Sequence, residues 1–115
     1  VKPIAMHMVG AIARKHGSGL PISGIGGVST WKDAVEFMLL GAGTVQVCTA
    51  VMHYGYRIID DLTNGMKTYM NEKGFASVVD FIGKAIPNYT DWGSLDLKYA
   101  LIADIHDENC IGCNL

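Results

Sequence analysis

Two short β-rich runs set between helical patterns limit this chain more than any other feature. Leu20-Pro21-Ile22-Ser23-Gly24-Ile25 is bounded by glycines, and Thr44-Val45-Gln46-Val47-Cys48 lies between Gly43 and Thr49-Ala50. Each reads as a strand buried on both faces. Ahead of the first, Ile4, Met8, Ala11 and Ile12 recur at the spacing of an amphipathic helix over about 3–16, with Pro3 suited to its first turn and Gly17 to its cap. Between the runs, Trp31, Ala34, Val35, Met38 and Leu39 mark a helix capped by Ser29 or Thr30 and stopped by Gly41. Beyond the second, Ile58, Ile59, Leu62, Met66, Tyr69 and Met70 predict a helix over about 56–73, weakened in its middle by Gly65. The order helix, strand, helix, strand, helix with short connections calls for an α/β fold with a parallel sheet and right-handed crossovers. Two strands do not make a stable parallel sheet, so this segment is expected to belong to a larger one.

From Phe75 the character changes. A short helix is predicted near Val78 to Ile82, then an irregular linker through Pro87-Asn88 and Tyr89-Thr90-Asp91-Trp92-Gly93, with Trp92 as a packing anchor. Only 17% of the residues are charged against 50% hydrophobic, which implies surface that is normally covered, by a partner or by a second copy in a homo-oligomer. The net charge of −2 with scattered basic residues excludes the electrostatic footprint of a nucleic-acid binder. No run approaches the roughly 20 apolar residues of a membrane span, and no basic-then-apolar leader opens the sequence, so a soluble, cytoplasmic protein is expected. The opening Val1 and an odd count of three cysteines, two of them at the far end, predict part of a longer polypeptide with metal chemistry rather than a disulfide framework.

Three constellations could carry chemistry. Ser23-Gly24-Ile25-Gly26-Gly27 ends the first strand beside a capped helix; it reads either as a tight turn or as a cradle in which backbone N–H groups and the helix dipole hold a phosphate. A side chain at Gly27 would then fill the space the phosphate needs. Cys48-Thr49-Ala50 ends the next strand, where Thr49 would stand beside the glycine turn and complete the cradle; Cys48 reads equally as a buried core thiol. The loops after strands 7 and 8 of (β/α)₈ barrels make such phosphate sites. Cys110-x-x-Cys113 fits the start of a zinc site, a redox pair or an iron–sulfur motif. The four histidines lack the i, i+4 spacing of a metal pair on one helix and read as surface or packing residues.

Val1-Lys2-Pro3-Ile4-Ala5, Leu20 through Gly27, Gly41-Ala42-Gly43 and Val45-Gln46-Val47-Cys48-Thr49-Ala50 together resemble the last quarter of the flavin barrel in the dihydroorotate dehydrogenase superfamily. Pro87-Asn88-Tyr89-Thr90-Asp91-Trp92 followed by Cys110-Ile-Gly-Cys113 resembles its dihydropyrimidine dehydrogenase branch, whose barrel is followed by an iron–sulfur segment. The resemblance implies the C-terminal part of a (β/α)₈ TIM barrel, about its last two strand-helix units, over 1–86, a linker over 87–109, and the start of a 4Fe-4S segment over 110–115. It implies FMN with its phosphate on Gly26, Gly27, Cys48 and Thr49, and Gly24 letting the cofactor pass close to the strand. Cys110 and Cys113 would be two ligands of the cluster. The implied reaction reduces the 5,6 double bond of uracil or thymine with electrons from NAD(P)H, delivered through an FAD/NAD-binding partner subunit or domain. The general-acid cysteine of that reaction lies in an earlier part of the barrel, and no cysteine here matches it. Dihydroorotate dehydrogenase, and a non-catalytic metal-binding or assembly module, are the alternative readings.

Overall fold

The structure, a computed structural model, describes residues 1–98 together with His106 and Glu108. Cys110 and Cys113, expected as metal ligands, lie outside the described residues. Two parallel strands, β1 (Ser23–Ile25) and β2 (Thr44–Gln46), form the sheet, in the register Ser23 to Thr44, Gly24 to Val45 and Ile25 to Gln46. They are the centres of the two predicted runs. Among the described residues, four α-helices accompany them: α1 (Lys2–His16), α2 (Trp31–Leu39), α3 (Thr49–Tyr54) and α4 (Ile58–Lys73). Single 3₁₀ turns follow at Val78–Asp80, Ile86–Asn88 and Trp92–Ser94. The expected order therefore holds with one addition, α3, where the sequence shows only a strand boundary. Gly55, at a φ of 70°, breaks α3 from α4.

The expectation that both strands are buried on both faces fails. Gly24 is buried and Val45 half-buried on the face that α2 covers, while Ser23, Ile25, Thr44 and Gln46 are exposed on the other. Helix α2 fills the helical side. Phe37 is fully buried with Val28, Ala34 and Ala42 toward the sheet, and Val35 and Met38 pack with Phe81 on the α4 side. A Cβ on Gly24 would stand 2.7 Å from the Phe37 ring, so glycine is what lets α2 approach β1 this closely.

Helix α1 also turns differently from the sequence expectation. Its buried residues are Val9, Gly10 and Ala13, whereas Ile4 and Met8 are 69% and 58% exposed. The small residues permit a close approach: Cβ atoms at Gly26 and Gly41 would come within 2.9 and 2.7 Å of Ala5 and Ala13. The larger Ile4-Met8-Ile12 stripe faces away from everything described.

The segment after α4 folds back rather than trailing off. Gly83 N–H donates to Met38 O at 2.9 Å and Ala85 N–H to Leu39 O at 3.0 Å, closing the end of α2. Tyr89 lies over Gly10, its hydroxyl 2.6 Å from His7 Nδ1, and Arg14 pairs with Asp91 at 3.3 Å. Trp92, expected as an anchor, is 76% exposed. Tyr89 takes that role because Gly10 leaves room for its ring. No helix among the described residues is long and apolar enough to cross a membrane.

Candidate functional site

Parallel strands place their C-terminal ends, and the starts of the helices that follow, on one side of the sheet. There the structure forms a cavity of about 440 Å³, lined in part by Ile25, Gly26, Gly27 and Ser29 after β1 and by Gln46, Cys48, Thr49 and His53 after β2. Four of the five residues singled out for a cofactor, Gly26, Gly27, Cys48 and Thr49, thus converge. Gly24 does not line the cavity; its missing side chain faces Phe37, so its glycine serves helix packing on the opposite side of the strand. Cys48 is exposed rather than a buried core thiol. Ser29, Gln46, His53 and Tyr54 line the cavity too and are absent from the sequence-based set. Strand alternation puts Gln46 and Cys48 on one face, and the i, i+4 spacing puts His53 above Thr49; those were the available signals.

The Gly26-Gly27 turn requires glycine twice over. Its φ values of 123° and 75° lie in the region that side chains rarely adopt. The expectation that a Gly27 side chain would fill only phosphate space is corrected by geometry: that Cβ would stand 2.9 Å from Lys2 Cβ, against the first turn of α1. Gly27→Val in the full-length protein is therefore expected to lower stability by about 1–3 kcal/mol as well as flavin content. A melting temperature equal to that of the unsubstituted protein, with flavin lost, would restore the simpler expectation.

The start of α2 is not a free anion site. Asp33, buried, closes a capping box with Thr30: its Oδ2 accepts from Thr30 N–H at 2.7 Å, Thr30 Oγ1 at 2.8 Å and Ser29 N–H at 3.0 Å. Lys2, from the first turn of α1, donates to Asp33 and pairs with Glu36. Burial alone would raise the Asp33 carboxyl. The bonds from Lys2, Ser29 and Thr30 outweigh it and hold its pKa well below the ordinary carboxylate range. The Lys2 ammonium is raised, chiefly by its bonds to Asp33 and Glu36.

With the α2 dipole answered by a resident carboxylate, an anion in the cavity must draw on other donors. The backbone of the Gly26-Gly27 turn and the hydroxyl of Thr49 are at hand, whereas the Ser29 hydroxyl donates to Asp33 Oδ2 at 3.3 Å and the Val51 N–H of α3 to Cys48 O at 3.0 Å. Backbone N–H groups of a glycine turn beside a hydroxyl suit a phosphomonoester. Among the described residues, no group of three or more His, Cys, Asp or Glu side chains is arranged to hold a metal ion.

Comparison with known proteins gives the family and the fold. The dihydroorotate dehydrogenase family profile matches residues 1–70. The NAD-dependent dihydropyrimidine dehydrogenase subunit PreA of Escherichia coli is 44% identical over 115 residues, covering 98% of this chain and 28% of that protein. The catalytic subunit of dihydroorotate dehydrogenase B (NAD(+)) from Pyrococcus furiosus is 46% identical over 85 residues, 74% of this chain and 28% of its own. A ligand-free DHODH from Eimeria tenella superposes with a TM-score of 0.70 at 24% identity, over 73% of this chain and 23% of that one. The last comparison speaks for the fold, a part of a (β/α)₈ barrel. The chain spans a little over a quarter of the two bacterial and archaeal relatives.

Proposed function

From the premise that this chain belongs to the dihydroorotate dehydrogenase family, we propose that it supplies the phosphate-binding quarter of an FMN-dependent oxidoreductase that reduces uracil or thymine to the 5,6-dihydropyrimidine. The observation that supports this reading is the convergence of Gly26, Gly27, Cys48 and Thr49 on one cavity at the C-terminal ends of two adjacent parallel strands. Gly26, Gly27, Cys48 and Thr49 would hold the FMN phosphate, the glycine turn through backbone N–H groups and Thr49 through its hydroxyl. When bound, FMN supplies the two-electron carrier that the protein itself lacks. Reduction adds two electrons and two protons across the C5–C6 bond, and NAD(P)H, bound by a partner subunit or domain, is the source of the electrons. Cys110 and Cys113 would supply the first two thiolates of one 4Fe-4S cluster, which when bound would serve as a one-electron carrier between the NAD(P)H-binding partner and the flavin.

The extent of the match favours a pyrimidine over dihydroorotate. The dihydropyrimidine dehydrogenase subunit aligns over 98% of the chain, whereas the dihydroorotate dehydrogenase B subunit aligns over 74% at similar identity. The deciding experiment purifies the full-length protein with its partner and assays it with NADH. Stoichiometric FMN and consumption of uracil are the expected results. Turnover of dihydroorotate but not of uracil would replace the reading with its family alternative. Stoichiometric zinc without flavin would overturn it in favour of a metal-binding or assembly module.

A further inference from the structure

The face of the sheet turned away from α2 carries Ser23, Thr44 and Gln46, three polar residues where a (β/α)₈ barrel packs its interior, mostly with Val, Ile and Leu. They are tied together. Thr44 Oγ1 donates to Ser23 Oγ at 2.9 Å, and Gln46 Nε2 donates to the same oxygen at 2.9 Å. The parallel register explains the reach: Gln46 stands opposite Ile25, one inward-facing step beyond the Ser23–Thr44 pair, and its side chain leans back along the sheet to Ser23. Two donors fill both lone pairs of Ser23 Oγ, so that oxygen holds the nitrogen end of the Gln46 amide. The carbonyl end remains. Gln46 also lines the cavity with Gly26, Gly27, Cys48 and Thr49, so it stands in the layer nearest the ligand rather than deep among the strands. The Gln46 side chain is exposed at this face, so with its nitrogen held by Ser23 its amide oxygen is left as the acceptor for whatever fills the cavity.

We propose that Gln46 is a positioning and specificity residue of this site, its amide oriented by Ser23 so that its carbonyl oxygen accepts from the ring N–H of a cyclic imide. This deepens the functional reading above and rests on it. The imide N–H between two carbonyls is shared by uracil-type pyrimidines and by the pyrimidine ring of the flavin. Thr44 braces the pair by holding Ser23.

The test uses the full-length, flavin-loaded protein and two variants, Gln46→Leu and Ser23→Ala. Uracil and 3-methyluracil, which lacks the imide N–H, are titrated by perturbation of the flavin spectrum, and FMN affinity is measured separately on the stripped protein. If the pyrimidine supplies the imide, Gln46→Leu weakens uracil about tenfold, the loss of one hydrogen bond, leaves 3-methyluracil unchanged and leaves FMN affinity intact. If the flavin supplies it, FMN weakens by a similar factor, the flavin absorption shifts, and the preference for uracil over its methylated form persists. Ser23→Ala shifts the same quantity by a smaller factor, because it releases the amide without removing the acceptor; a purely structural role for Ser23 would not move the uracil to 3-methyluracil ratio or the flavin spectrum. A folded Gln46→Leu protein with both quantities unchanged overturns the proposal. Should Gln46→Leu fail to fold, Ser23→Ala with both unchanged overturns it equally. An unsubstituted protein that binds neither flavin nor pyrimidine defeats the functional reading itself, whereas one that binds both but is indifferent to these substitutions defeats this proposal alone.

Discussion

Asp33→Ala is expected to destabilise the full-length protein by about 3 kcal/mol, read as a fall in the midpoint of urea unfolding. The substitution removes the N-terminal capping box of α2, worth about 1 kcal/mol, and leaves Lys2 and two backbone N–H groups without their acceptor in a part-buried setting, at about 1–3 kcal/mol more. It also unties α1 from α2, because Lys2 reaches Asp33 and Glu36 from the first turn of the earlier helix. The same carboxylate sets a pH dependence. Its folded pKa is depressed, so its contribution is complete above the ordinary carboxylate value of about 3.9 and fades as pH falls from there toward the folded value. Lys2 acts in the opposite window: its pKa is raised, so its share is complete below its ordinary value of 10.5 and is lost as pH rises through the folded one. Asp33→Asn, which keeps an acceptor but no charge, should flatten the acid limb of the stability profile. An acid limb identical to that of the unsubstituted protein would show that the carboxylate is not the group that titrates.

Gly65→Ala is expected to destabilise by about 2 kcal/mol, against the sign that helix propensity alone dictates. In the middle of a 16-residue helix, alanine in place of glycine should gain about 1 kcal/mol. Yet a Cβ at Gly65 would stand 2.1 Å from Trp31 Cγ and 2.6 Å from Trp31 Cβ. Trp31 is the first residue of α2 and cannot retreat without moving that helix, and its ring also packs against Tyr69 at 6.2 Å between centroids. Forced displacement of a packed aromatic costs more than the propensity gain returns. Thermal melting of the full-length variant measures the net effect. A rise in melting temperature would mean that the α2–α4 contact accommodates the methyl group. Trp31→Ala combined with Gly65→Ala should recover part of the propensity gain, since the clash disappears with the ring.

These two sites also divide what could be read in advance from what could not. The alternation of elements, the parallel pairing and the meeting of the Gly26-Gly27 turn with Thr49 follow from local rules. Apolar spacing identifies a helix, glycines bound a strand, and consecutive strands with short crossovers lie side by side. Those rules depend on neighbours within a few positions, so the chain's own order determined them, and α2 with its Thr30 cap agrees to within a residue. Gly65 was legible only as a weakness in α4, because its reason is an indole on another helix.

The tertiary structure alone decided which face of each element is covered. Periodicity records where apolar residues recur, and on α1 it picks out the large stripe Ile4, Met8 and Ile12, yet the sheet and α2 settle on small residues around Val9, Gly10 and Ala13 because these allow a closer approach. The same holds for Gly24, which faces Phe37 instead of the cavity, and for Cys48, exposed at a strand end that looked buried. Asp33 is the fullest case. Thr30 was visible as one of two cap candidates, but Asp33 was not singled out, and Lys2 meets it only when two helix starts are brought to one end of the sheet, where the carboxylate occupies the dipole that looked free. Charge placement and facial choice are set by packing between elements distant in sequence, and no local pattern encodes them.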